Sequence, residues 1–184
     1  MSWFDAPDPD APVHVLTVCI GNICRSPLAE QLLRAKLGSP YVLGSAGLFA
    51  AHGHPMDPLS AERSLRYGGN PEGAVGEQLT DEHAQWAHLI LTMTQSQRDE
   101  LVQRHPRAAL RTFTLAEFAA LAERTMDGDP APRARISRAT GARGSSRLSR
   151  EDDVPDPINA SVEVHDRVAA QIAGYVDRIV AALR

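Results

Sequence analysis

The 184-residue sequence predicts an α/β domain in which a four-stranded parallel sheet carries helices on both faces. Three observations predict it. Short strand-like runs, apolar on both sides, alternate with longer runs whose apolar residues recur every three or four positions. Gly or Pro closes three of the longer runs. The chain is long enough, and at 43% hydrophobic residues apolar enough, to fill one core without staples.

Taken in order, residues 1–12 hold three Asp and three Pro around Trp3 and Phe4. They read as a disordered N-terminal arm ahead of a domain at 13–184. "VHVLTV" at 13–18 reads as a buried strand that ends at Cys19. Ser26 and Pro27 supply an N-cap and a first-turn proline for a helix through "LAEQLLRAKL", with Leu28, Leu32, Leu33 and Leu37 on one face and Gly38 as its stop. "YVLGSAG" is a second strand, "DPLSAERSLRYGG" a helix with a glycine stop, and "TDEHAQW" a short capped helix. "AHLILTM" is a third strand, followed by the helix "SQRDELVQRH" that Pro106 halts. "LRTFTL" and "AEFAALAERT" add the fourth strand and its helix. Val164, Val168, Ile172, Tyr175, Val176 and Ile179 form the stripe of a terminal helix that packs back on the sheet.

Residues 128–150 break the alternation. From Pro130 to Arg150 there are six arginines and no acid, and the apolar residues show neither a helical nor a strand period, so the stretch reads as an Arg-rich loop insertion. Two readings stand: a docking arm for an acidic partner, or a solvated insertion with no specific role.

A formal net charge of −4 gives no global pull toward nucleic acid or anionic membrane. No apolar run reaches the roughly 18 residues of a bilayer span, and acids stand where a secretory signal carries bases. A cytoplasmic protein with no nucleic-acid or membrane partner is expected. Cys19 and Cys24, the only cysteines, are too few for a disulfide framework and lack a Cys/His cluster for zinc. His52 and His54 have no third ligand in view and read as a polar loop. The other histidines, at 14, 83, 88, 105 and 165, carry no assignment.

The chemistry concentrates in "CIGNICRS", residues 19–26, a turn between a strand and a helix. Gly21 and Asn22 tolerate left-handed backbone, so the loop can curl and aim successive N–H groups at one point. The helix N-terminus adds its own unpaired N–H groups, and together they make a cradle for a tetrahedral oxyanion. Arg25 is placed to close the ring with two coplanar donors. The same donors favour the Cys19 thiolate, and the Ser26 hydroxyl can donate to it. A thiolate beneath a bound phosphate attacks phosphorus in line, and a carboxyl group must manage the proton on the far side. Asp156, between two prolines in "EDDVPDPINAS", is the expected acid and then base; Asp152 and Asp153 are rivals that no proline brackets. Buried structural cysteine is the competing reading of Cys19, and it leaves the matched Gly, Asn, Arg and Ser unexplained.

At these residues the chain resembles the low-molecular-weight protein tyrosine phosphatases, with Cys-x5-Arg-Ser-Pro early and Asp-Pro late. "SAG" at 45–47, "MDP" at 56–58, "QLT" at 78–80 and "LILTM" at 89–93 follow in the family's order, over about residues 13–127 and 151–184. The resemblance implies a single-domain flavodoxin-like three-layer sandwich with no metal and no cofactor. It implies a phosphate monoester hydrolase, a protein-tyrosine-phosphatase, that acts on a phosphorylated protein or small phosphate ester. Cys19 is the implied nucleophile, Arg25 the phosphate clamp and Asp156 the acid/base. Ile20, Gly21, Asn22, Ile23, Cys24 and Ser26 are the implied phosphate-loop residues, with Ser45 hydrogen-bonding Asn22. Cys24 matches a second loop cysteine that can trap an oxidised Cys19 as a reversible disulfide. Relatives that act on phosphoarginine have Thr where this chain has Ile23. Arsenate reduction with an external low-molecular-weight thiol is the alternative, since no cysteine follows Cys24; a phosphate-binding module without catalysis is a third reading.

The sequence also departs from the family pattern. Ile158 and Asn159 stand where tyrosines commonly wall the pocket, "LFAAHGH" leaves Phe49 as the stand-in for an aromatic, and "GAVGE" replaces a histidine before "QLT".

Overall fold

The computed structural model describes residues 11–124, 132–143 and 149–184. The expected N-terminal arm lies, apart from Ala11 and Pro12, outside them.

Four strands, β1 (Val13–Cys19), β2 (Tyr41–Gly47), β3 (Leu89–Thr92) and β4 (Thr112–Thr114), form one parallel sheet in the order β2-β1-β3-β4. Alternation along β1 sends Val13 and Val15 to one face and Leu16 and Val18 to the other, and each face meets its own apolar cluster. The first cluster is built by α1 (Arg25–Leu37), α5 (Leu115–Arg124), α6 (Pro132–Gly141) and α7 (Val162–Leu183). The second lies against Leu101 of α4 (Gln95–Arg104), Ala108 of a 3-10 turn at Pro106–Arg111 and, at its margin, Trp86 of α3 (Asp81–Trp86). The three-layer sandwich expected from the alternation is therefore the architecture. α2 (Pro58–Arg66) rests on α1 and α7.

β1 lies centrally, with β2 on one side and β3 on the other, so the winding reverses beside it. In open parallel sheets ligands bind beyond the carboxyl ends of the strands at that reversal, and there Cys19 ends β1.

Two expectations need correction. Ser26 does not cap α1: the helix begins at Arg25 with Cys24 at the N-cap, and the Ser26 hydroxyl faces the Cys19 sulfur. Within the stretch expected to be a loop, Pro132–Gly141 is a helix. Its apolar period is short, only Ile136 and Ala139, but both are buried against α5 and α7 and fill the main core. Arg143 just beyond it lies over the Phe113 ring at 3.9 Å and donates to Glu117 and to the carbonyls of Ala109 and Thr112. Arg135 donates to the Ala182 carbonyl. These arginines face the protein itself, unlike a solvated arm reaching for an acidic partner. Residues 128–131 and 144–148 of that stretch lie outside the described residues.

Candidate active site

The loop after β1 is held from outside by its carbonyls. Leu48, Phe49, Ala51 and Asp57 donate their N–H groups to the carbonyls of Cys19, Ile20, Gly21 and Ile23, at 2.8–3.0 Å. With the carbonyls turned outward, the amides turn inward. Asn22 N–H meets the Cys19 sulfur at 3.2 Å, and among the described residues the N–H groups of Gly21, Ile23 and Cys24 find no protein acceptor. The left-handed residue is Asn22 (φ 55°) and not Gly21. Gly47 and Gly76 are required by close approach: a Cβ on Gly47 would meet the Ile20 carbonyl oxygen at 2.6 Å, and one on Gly76 the Ala51 carbonyl oxygen at 2.3 Å.

Cys19 is 2% exposed, with Ser26 Oγ 3.0 Å from its sulfur. Asn22 Nδ2 donates to Ser26 Oγ at 2.9 Å, which leaves the serine proton free to point at sulfur. Asn22 Oδ1 in turn accepts the Glu77 N–H at 2.8 Å, and Thr17 donates to the Ser26 carbonyl. The sulfur thus faces two donors, each held by a further hydrogen bond. Ser45 takes no part. It lies on the α1 face of β2 and donates to Glu30 at 2.6 Å, so the expected Ser45–Asn22 bond is replaced by the Glu77 backbone. That support is in the segment where the family's histidine is missing, and a backbone donor leaves no mark in a sequence.

Arg25 is 3% exposed. Its Nη1 donates to the Val154 carbonyl at 3.1 Å, its Nη2 to Asp156 Oδ2 at 2.6 Å, and its Nε is buried without an acceptor. The side chain is therefore aimed by Val154 while one charged donor remains unsatisfied beside the loop, the condition an oxyanion relieves. Asp156 is partly exposed, and its other oxygen accepts the Ile158 N–H in a tight turn. The rivals have structural tasks: Asp153 accepts the first N–H of α4 from Gln95, and Asp152 closes a capping box with Ser149.

Cys24 is buried, and its thiol is pushed up to about 12, chiefly by burial, against the lowering effect of its hydrogen bond with Ser60. Both cysteines are free thiols. Phe49 is 58% exposed at the loop's edge, with the Arg104 guanidinium 4.3 Å above its ring. Ile158, 41% exposed, follows Asp156. Neither His52 nor His54 belongs to a cluster able to hold a metal among the described residues.

Comparison with known proteins shows the family and the fold. The family model of low molecular weight phosphotyrosine protein phosphatase matches residues 14–139. A protein-arginine-phosphatase of Geobacillus stearothermophilus is 31% identical over 168 residues, 91% of this chain and 94% of that protein. A probable low molecular weight protein-tyrosine-phosphatase of Ralstonia nicotianae is 42% identical over 104 residues, 56% and 71% of the two chains. The structure of a low molecular weight protein tyrosine phosphatase from T. tengcongensis superposes with a TM-score of 0.72 at 29% identity, covering 92% of this chain and 98% of that one. These names favour the phosphatase expectation over arsenate reduction. Sheet order, phosphate-type loop and sequence match converge: the chain belongs to the low molecular weight phosphotyrosine protein phosphatase family and is a phosphatase.

Proposed function

We propose that Cys19, Arg25 and Asp156 hydrolyse aryl phosphate monoesters, phosphotyrosine in proteins foremost. The observation that carries this is the convergence of a buried sulfur facing two donors, a buried guanidinium with an unpartnered Nε, and a carboxylate 2.6 Å from that guanidinium. Phosphate oxygens take the inward amides and Arg25, which exchanges its contact with Asp156 for the dianion. The Cys19 thiolate attacks phosphorus; the bond to the leaving oxygen breaks as Asp156 gives that oxygen a proton. Water then loses a proton to Asp156 and attacks the cysteinyl phosphate, releasing phosphate and the thiolate, which Ser26 and the Asn22 amide stabilise.

Ile23 stands where relatives that act on phosphoarginine have Thr, and an apolar side chain there suits an aromatic leaving group better than a guanidinium, which needs polar partners. Phosphoarginine is the second reading, favoured by the arginine phosphatase that matches 91% of the chain. A panel of phosphotyrosine, phosphoserine and phosphoarginine substrates separates them. The expected order puts phosphotyrosine at least tenfold ahead in kcat/KM, and the reverse order moves the assignment to phosphoarginine.

A further inference from the structure

At the opposite end of the sheet, a cavity of about 290 Å3 is lined by Gln85, Ala87, His88, Arg111, Arg133, Ile136 and Ser137. It lies beside the start of β1, since Arg133 also reaches the Pro12 carbonyl. Cys19 ends that strand, so the cavity is ~20 Å from the catalytic sulfur at ~3.3 Å per residue.

Its donors outnumber its acceptors. Arg111 gives its Nη1 and Nη2 to the carbonyls of Arg107 and Ala84, and its Nε is buried with no acceptor. Arg133 likewise keeps a buried Nε without a partner. Nδ1 of His88 receives the His14 backbone N–H at 2.9 Å, and Nε2 of His88 lies 3.2 Å from Arg133 Nη2. A neutral imidazole has one acceptor nitrogen. With Nδ1 accepting, Nε2 carries the proton and points it at an N–H of Arg133; the other tautomer moves the conflict to His14. One donor faces another in either case. Burial, then Arg133, His14 and Arg111, hold the His88 pKa below its usual value, so the ring is neutral at pH 7. Arg133 also occupies the first turn of α6, which contains no acidic residue among the described residues. Among the described residues no carboxylate pairs with either arginine.

We infer that Arg111, Arg133 and His88 form a second oxyanion site, for phosphate or the phosphoryl group of a small molecule, remote from the catalytic loop. An oxygen bridging His88 Nε2–H and Arg133 Nη2 removes the donor conflict, and the charge of the two guanidinium groups favours an anion there. The inference stands independently of the reaction assigned to Cys19.

The test is calorimetric titration of the full chain with inorganic phosphate. Two sites are expected in the wild type and one in Arg133→Gln, while the inhibition constant of phosphate for p-nitrophenyl phosphate hydrolysis changes by less than twofold. Arg111→Gln, with a thermal melt as a check on folding, should weaken the distal site at least tenfold. NMR of the His88 ring gives a local readout: phosphate should shift it in Arg25→Met and not in Arg25→Met/Arg133→Gln. Methylphosphonate binding more tightly than phosphate would identify a small organic phosphoryl ligand, and weaker binding the free anion. A single site in the wild type, or two sites undiminished in both arginine variants, overturns the inference.

Discussion

The loop after β1 and the α6 segment hold an arginine in the same way and show it very differently in sequence. Arg25 and Arg133 each hold a buried Nε without an acceptor, beside further inward donors. Arg25 sits in a contiguous motif where Cys, Gly, Asn and Ser within eight positions specify its task. Arg133 is one of six arginines in a stretch whose partners, Arg111 and His88, lie far off in the chain. A local turn writes its chemistry in adjacent letters; a site assembled across elements needs the fold to bring its letters together.

The largest expected effect separates the two regions outright. Cys19→Ser should abolish p-nitrophenyl phosphate turnover, whereas Arg133→Gln should leave kcat/KM within twofold in the absence of added anions. A large loss in Arg133→Gln at unchanged melting temperature would erase the distinction between the two ends of the sheet. Next comes Asp156→Asn, expected to slow turnover by ~10²–10⁴, the usual worth of a positioned acid. Asp153→Asn keeps an acceptor for the first N–H of α4, so stability should change by less than ~0.5 kcal/mol and kcat should be retained. If kcat falls in Asp153→Asn instead, the two carboxylates have been assigned the wrong tasks.

Ile136 tests whether the arginine-rich segment belongs to the core. It is 6% exposed in the main apolar cluster, so Ile136→Ala should destabilise the chain by ~2–5 kcal/mol in urea unfolding. A solvated loop predicts a change within ~0.5 kcal/mol.

How legible the molecule is in its sequence follows the same division. The strands are visible as short apolar runs, the helices around "LAEQLLRAKL" and the terminal stripe by their apolar periods, and "DELVQRH" by its place between a strand and Pro106. α6 is not, because its buried contribution is two apolar residues and its remaining contacts come from arginine stems and guanidinium groups stacked on or bonded to the protein. In the site, Cys19, Arg25 and Asp156 are legible by type and spacing. The Val154 carbonyl that aims Arg25 and the Glu77 N–H that fixes Asn22 are backbone groups, and residue identity does not encode them. Ser45 was misread because strand parity turns it to Glu30.

The smallest effect concerns the loop's other cysteine, which shares the motif and behaves as core. Burial first, and the charges of Asp57, Cys19 and Asp156 after it, hold the Cys24 thiol up at about 12, and burial does the same to the Tyr41 hydroxyl. Both groups are neutral in the fold where their unfolded counterparts, with ordinary values of 9.0 and 10.0, begin to ionise. The unfolded chain therefore gains from releasing protons that the native chain keeps, so these two groups make stability fall as pH rises from about 9 toward 12 and add no pH dependence well below that. In Cys19→Ser, whose only thiol is Cys24, iodoacetamide at pH 8 should label the native protein at least tenfold more slowly than the urea-unfolded chain. Equal rates would place Cys24 with the reactive part of the loop. Then the division between catalytic turn and supporting structure would have to be drawn inside the motif at some other residue.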